Sequence, residues 1–256
     1  MDFKAAAIEE WYNLEMYAET RRQELSKTFE PLVEAINAYE QLACRLVVAL
    51  GQFAPSDSQD DALRDLFAEA FDSLHISKRL ILKWLPSSTL ALLRRAYEIT
   101  SLFAYLVLNP TQIEKWQSGK IIRNQEIRRF LANHPMGEQE VHLREFYSIL
   151  SAGTHVNREF TPHRQLGRGN QFTLGSISRP IMTIVAQDLI WLISIWFWVM
   201  ALATYRYKEV LSTVDPGFGH DYMAVAKRAQ DVVEGVKSQW DKLTAFDTSP
   251  AQEDAA

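Results

Sequence analysis

The stretch LLRRAYEITSLFAYLVL, residues 92–108, decides the fold class. Together with Leu90, its residues Leu93, Tyr97 and Ala104 recur at steps of three, four and seven, the spacing that lines up side chains on one face of an α-helix. Arg94 and Glu98, four residues apart, share another face of the same helix. A second run downstream, REFYSILSAGTHVNRE at 144–159, sets Tyr147, Ser151 and His155 at successive steps of four. If the helix persists through Gly153, these three form one polar stripe.

Working outward, the remaining chain reads as helices separated by short breaks, with no sustained strand alternation. Helices are expected from about Asp2 to Lys27 and from Pro31 to Gln52, followed by the turn-rich APSDSQD. Asp60 or Asp61 caps the next, whose Leu63, Leu66, Phe67, Phe71 and Leu74 make an apolar stripe running on to Trp84. Pro86 marks a corner, and Ser87 or Ser88 opens the helix that holds residues 92–108. Further helices are expected from Pro110 to about Asn133, Glu138 to Ser151, Ser178 to Leu211, and from Asp215 and Pro216 through AVAKRAQDVVEGVKSQWDKL. The expected architecture is all-α: an antiparallel helical bundle over 60–245, an N-terminal helical hairpin over 1–54 serving as an accessory or dimerisation element, and a flexible tail over 246–256.

Composition narrows the function classes. The chain has 256 residues, 47% of them apolar, enough to fill a substantial core. Thirty-two acidic residues against 27 basic ones give a formal charge of −5, which argues against a DNA-packaging role. Cys44 is the single cysteine, so no intrachain disulfide exists; it is expected to pack against a partner helix, and a reducing cytoplasm is the expected location. LIWLISIWFWVMALATY, residues 189–205, is uncharged but sits at the short end for a bilayer span, and extending it backward brings in Asp188 at a cost. A core helix is therefore preferred over a single-span membrane protein. Trp191, Trp196 and Trp198 within it are read as core or subunit-contact anchors rather than base-stacking groups.

The polar candidates are Arg94, Glu98, Tyr147, Ser151, His155 and Asp188. His155 has the titration range of a general base, Ser151 would orient it, and Tyr147 would donate a hydrogen bond. Asp188 is the acceptor for His155, Tyr147 or Arg94. The bland counterpart is a buried network that fixes helix register without touching a substrate. Hydrolysis by a serine nucleophile fits poorly, since Ser151 lacks a Gly-x-Ser-x-Gly elbow. The six histidines form no His-x-x-x-His or His-Glu-x-x-His pattern, so no metal is expected, and no phosphate-binding Gly-x-x-x-x-Gly-Lys-Ser/Thr sequence indicates a nucleotide cofactor. The connection GTHVNREFTPHRQLGRGNQFTLG, with Arg164, Arg168 and Arg179 in or beside it, reads as a surface loop with modest potential for RNA contact.

The pairing of LLRRAYEITSLFAYLVL with REFYSILSAGTHVN resembles a set of bacterial helical proteins whose architecture is similar to the HEPN superfamily, over roughly residues 65–210. That resemblance implies a dimeric helical domain, in many members a metal-independent ribonuclease of toxin or antiviral systems and in others a non-catalytic protein. The usual catalytic pattern of that superfamily is an arginine followed four to six residues later by a histidine, and His155 has no arginine at that separation. Arg158 with His163, and Arg128 or Arg129 with His134, satisfy the bare spacing; Pro162 interrupts the first pair, and chance placement accounts for such matches. Two readings follow. One is RNA cleavage or RNA binding, with His155 activating a 2′-hydroxyl and Arg94 stabilising phosphate. The other is an interaction module recruiting a homodimer mate or a partner protein.

Overall fold

The computed structural model describes residues 3–52, 58–135, 140–154 and 181–248. Among them every regular element is helical: α1 (Phe3–Thr28), α2 (Glu30–Gly51), α3 (Ser58–Leu82), α4 (Pro86–Leu108), a 3₁₀ turn at Pro110–Gln112, α5 (Ile113–Gln117), α6 (Asn124–Ala132), α7 (Glu140–Thr154), α8 (Met182–Arg206), α9 (Lys208–Val214), α10 (Phe218–Lys237) and α11 (Trp240–Thr248).

The most apolar segment becomes the axis of the bundle. α8 packs against α2, α3, α4, α10 and α11, and Val185, Leu189, Leu192, Trp196, Val199 and Met200 are fully enclosed. Phe71 meets Trp196 edge-on at 5.7 Å while Asp60 approaches Arg206 at 3.6 Å, so α3 and α8 run antiparallel. Arg64 bonding the Leu50 carbonyl at 3.1 Å and Glu40 accepting from His75 at 3.0 Å set α2 antiparallel to α3. Phe67 against Phe103 and Arg95 against Glu69 do the same for α3 and α4. α8 has the length and composition to cross a membrane, yet 61% of its most apolar window is buried against the other helices. Trp196 is fully buried, and Trp191 and Trp198 pack on Phe146 and Tyr97, in line with their reading as core anchors.

At the N-terminus α1 contacts α2 and α3. The Phe29 N–H bonds the Leu25 carbonyl at 2.9 Å and the Val33 N–H bonds the Phe29 carbonyl at 3.0 Å, so α1 closes and α2 opens on the same residue, Phe29. α2 belongs to the main bundle, because its Leu32, Ile36, Tyr39, Ala43 and Leu46 are wholly buried and it packs on α8 and α10.

Three long helices expected from sequence are each divided. The 110–133 segment breaks at Gly119, whose φ of 79° is open to glycine at little cost. The 178–211 segment breaks at Tyr207, and the last helix at Ser238 and Gln239. At the α3–α4 corner, Trp84 adopts φ 56°, a left-handed conformation rare for a bulky residue. The Leu85 N–H bonding the Leu80 carbonyl at 2.9 Å closes α3 in a Schellman-type cap, and burial of the indole to 2% exposure offsets the strain. Cys44, expected against a partner helix, is exposed.

Candidate functional site

α4, α6 and α7 meet at a seam that gathers part of the sequence-predicted set. α7 continues through Gly153 to Thr154, so Tyr147 and Ser151 do lie one turn apart on the same helix. Beneath them the packing is aromatic: Phe146 meets Tyr97 at 4.9 Å and Trp191 at 5.7 Å, both edge-on, and Tyr97 tilts against Trp198 at 6.0 Å. This apolar floor fixes the register of α7 on α4 and α8, and therefore where Tyr147 points.

Above the floor lies a polar layer. The Arg94 Nε donates to Glu98 at 3.1 Å, and one terminal nitrogen donates to the Tyr147 hydroxyl at 2.9 Å. The Arg94 guanidinium carbon is 5.2 Å from the Tyr147 ring centre, and that of Arg128, from α6, is 5.0 Å from the same ring. Desolvation pulls the Arg94 pKa down, but the hydrogen bond and charge of Glu98, together with Tyr147, outweigh it and hold the group above its ordinary value. Arg94 thus stays charged at every accessible pH. Arg128 is half-buried with no carboxylate ion pair among the described residues, so among them the layer sets the guanidinium groups of Arg94 and Arg128 beside the Glu98 carboxylate.

The space here is small. Tyr97, Glu98, Ser101, Asn124, Ile127, Arg128 and Tyr147 enclose about 10 Å³, at the lower limit for one water molecule. An ion approaching Arg128 would do so from the solvent side, where Asn124 is exposed.

The other expected residues divide. Ser151 is half-buried on α7. Asp188 is enclosed at 3% exposure, and burial pushes its pKa up to about 8. Among the described residues no hydrogen bond or ion pair to its carboxylate is seen, and the Tyr147 hydroxyl accepts from Arg94 at 2.9 Å. His155, Arg158 and His163 lie outside the described residues, as do Arg164, Arg168 and Arg179. His134 stacks on Phe130 at 5.6 Å, whereas Arg128 lies over Tyr147.

Arg128 and Asn124 are the members that sequence reasoning did not place. Ile127 and Leu131, buried four residues apart, fix the inner face of α6 and set Arg128 on its flank. That periodicity was readable, but its alignment with Tyr147 depends on a tertiary contact.

A larger groove, about 340 Å³, runs beside Cys44, Arg45, Val48, Ala49, Gln52, Val214 and Asp215. Its one cation is committed: Arg45 binds Asp215 and Asp221, each at 2.7 Å, and lies over Phe218. Among the described residues no group of three or more His, Cys, Asp or Glu side chains is arranged to hold a metal. Comparison with protein-family models, curated proteins and solved structures finds no match to the chain.

Proposed function

We propose that this all-α chain is a HEPN-like protein that takes a phosphate-bearing ligand, RNA before any other, at the seam of α4, α6 and α7. One observation carries the reading: Arg94 and Arg128, from different helices, converge on the Tyr147 ring at 5.2 and 5.0 Å with Glu98 as the counter-charge. In a chain of formal charge −5, two guanidinium groups side by side stand against the background. Guanidinium groups suit phosphate because their planar fork donates two hydrogen bonds at once. Base stacking on Tyr147 is less favoured, since the two cations already occupy its surroundings.

In the catalytic form of this proposal, His155 follows directly on Thr154 at the end of α7 and removes the proton of a ribose 2′-hydroxyl. The 2′-oxygen then bonds to phosphorus, and the bond to the 5′-oxygen of the next nucleotide breaks as that oxygen takes up a proton. Arg94 and Arg128 stabilise the charge on phosphate, and Tyr147 and Ser151 orient the reacting groups. A cytoplasmic location belongs to the same proposal, resting on a single, exposed cysteine.

The test is incubation of a panel of structured and single-stranded RNAs in excess EDTA with the wild type and with His155→Ala shown to be folded. Cleavage by the wild type alone supports the catalytic form. Equal cleavage by both turns the search to the Arg158 and His163 pair, with His163 as the base, and no cleavage removes the enzymatic form.

A second reading, a non-catalytic interaction module with a structural polar network, is favoured by one fact: the enclosed space at the seam is about 10 Å³. A stable complex without turnover would distinguish it.

A further inference from the structure

The turn between α5 and α6 presents charge and apolar surface that the seam itself does not use. The Lys120 N–H bonds the Lys115 carbonyl at 3.3 Å, and Gly119, at φ 79°, closes α5. The chain then runs to Arg123, which is extended at φ −74° and ψ 139° and immediately precedes α6. Ile122 turns inward at 8% exposure and Ile121 outward at 88%. Neighbours in an extended chain face opposite ways, so Arg123 is set on the side of Ile121. Lys120 and Arg123 are both exposed.

Charge indicates what this turn meets. From Ser118 to Arg129 the chain has Lys120, Arg123, Arg128 and Arg129 with a single acid, Glu126. That acid is engaged elsewhere: it accepts from the Tyr105 hydroxyl at 3.1 Å and lies 3.4 Å from Lys115. Among the described residues no ion pair holds Lys120, Arg123 or Arg129. Arg123 stands directly before Asn124, which lines the seam with Arg128, and precedes Arg128 by about 7.5 Å along the α6 axis at 1.5 Å per residue. That is close to one nucleotide step of an extended strand, so a strand with a phosphate at Arg128 carries its next phosphates toward Arg123 and Lys120. Ile121 stands between those two cations in sequence. Its side chain offers nothing to phosphate, but the face of an unstacked base covers such a group, and a duplex keeps its base faces stacked.

We infer, resting on the phosphate-binding reading of the seam, that its ligand is a single strand several nucleotides long rather than a mononucleotide or free phosphate. The turn at 118–123 is the second contact of that strand: Lys120 and Arg123 hold phosphates, and Ile121 packs on the face of an unpaired base.

The experiment is fluorescence anisotropy of the full chain with 2′-O-methyl oligouridylates, whose blocked 2′-oxygen prevents cleavage. The wild type is expected to bind the octanucleotide about tenfold or more tighter than the dinucleotide, and tighter than a duplex of equal length. Lys120→Ala with Arg123→Ala should weaken the octanucleotide about tenfold, make its salt slope shallower by roughly 1.4, and leave the dinucleotide unchanged. Ile121→Ser should weaken the octanucleotide about fivefold with the salt slope unchanged. All three side chains are exposed, so thermal melts should match the wild type. An octanucleotide indifferent to the turn but weakened by Arg128→Ala overturns the second contact and leaves the phosphate site at the seam standing. Arg128→Ala without effect, or a wild type that binds neither oligonucleotide, overturns the seam site and the strand with it. A duplex bound as tightly as the single strand overturns the part given to Ile121. Binding to phosphatidylglycerol vesicles that the turn substitutions abolish, with RNA affinity unchanged, makes the turn a lipid contact and overturns the inference.

Discussion

Arg94 donates to the Tyr147 hydroxyl at 2.9 Å across 53 residues of chain, and lies 5.2 Å from the same ring. The contact locks α7 onto α4 through one polar and one aromatic interaction. Tyr147→Phe keeps the ring and removes the bond, so it should cost about 1 kcal/mol. Tyr147→Ala also removes the packing under both guanidinium groups and should cost roughly 2–3 kcal/mol. Urea unfolding of the two variants reads the difference; equal losses would mean that the ring contributes nothing.

Asp188 makes stability depend on pH in the direction opposite to a salt-bridged carboxylate. Burial raises its folded pKa from 3.8 to about 8. Below the unfolded value both states are protonated and the folded state keeps its full stability. As pH rises toward the folded value only the unfolded chain ionises, so stability falls by up to about 1.4 kcal/mol per pH unit. Asp188→Asn should remove this slope and overtake the wild type near pH 8. Urea midpoints at pH 5.5 and 8.5 check it, and parallel profiles for the two proteins would contradict it.

Glu40 on α2 accepts from His75 and from Lys78 on α3, and Lys78 also donates to Asn37 at 2.9 Å. The Glu40 and Lys78 side chains are each 13% exposed. Glu40→Ala leaves an enclosed ammonium with the Asn37 oxygen alone, at a cost of roughly 2–4 kcal/mol. Because α2 is part of the main bundle, thermal unfolding should remain one transition at a lower temperature. A separate early transition would instead make residues 1–54 an independent unit.

Much of the fold was legible from periodicity. Phe3–Thr28, Glu30–Gly51 and Pro86–Leu108 fall within a residue or two of expectation, because their ends carry local signals such as Pro31 and Pro86. The breaks at Tyr207 and Ser238 carry no proline or glycine, and a single glycine such as Gly119 is tolerated inside a helix as well as at its end. Pro31 reads equally as a corner or as the first turn of a helix, and it stands in the first turn of α2. At the site, Arg94, Glu98 and Tyr147 were legible as polar residues at helical spacing on apolar helices. Arg128 was not, since nothing local in RRFLANH tells which helix its flank will meet.

Phosphate binding at the seam turns on Arg128, whose loss leaves the Arg94–Glu98 pair and the Tyr147 hydroxyl bond intact. The measurement is the affinity of a labelled single-stranded RNA for the wild type and for Arg128→Ala across 50–200 mM salt. The substitution should weaken RNA binding about tenfold, make the salt dependence shallower by about one ion and leave the urea midpoint unchanged. Identical affinity and slope for the two proteins, or no binding by the wild type, would contradict it.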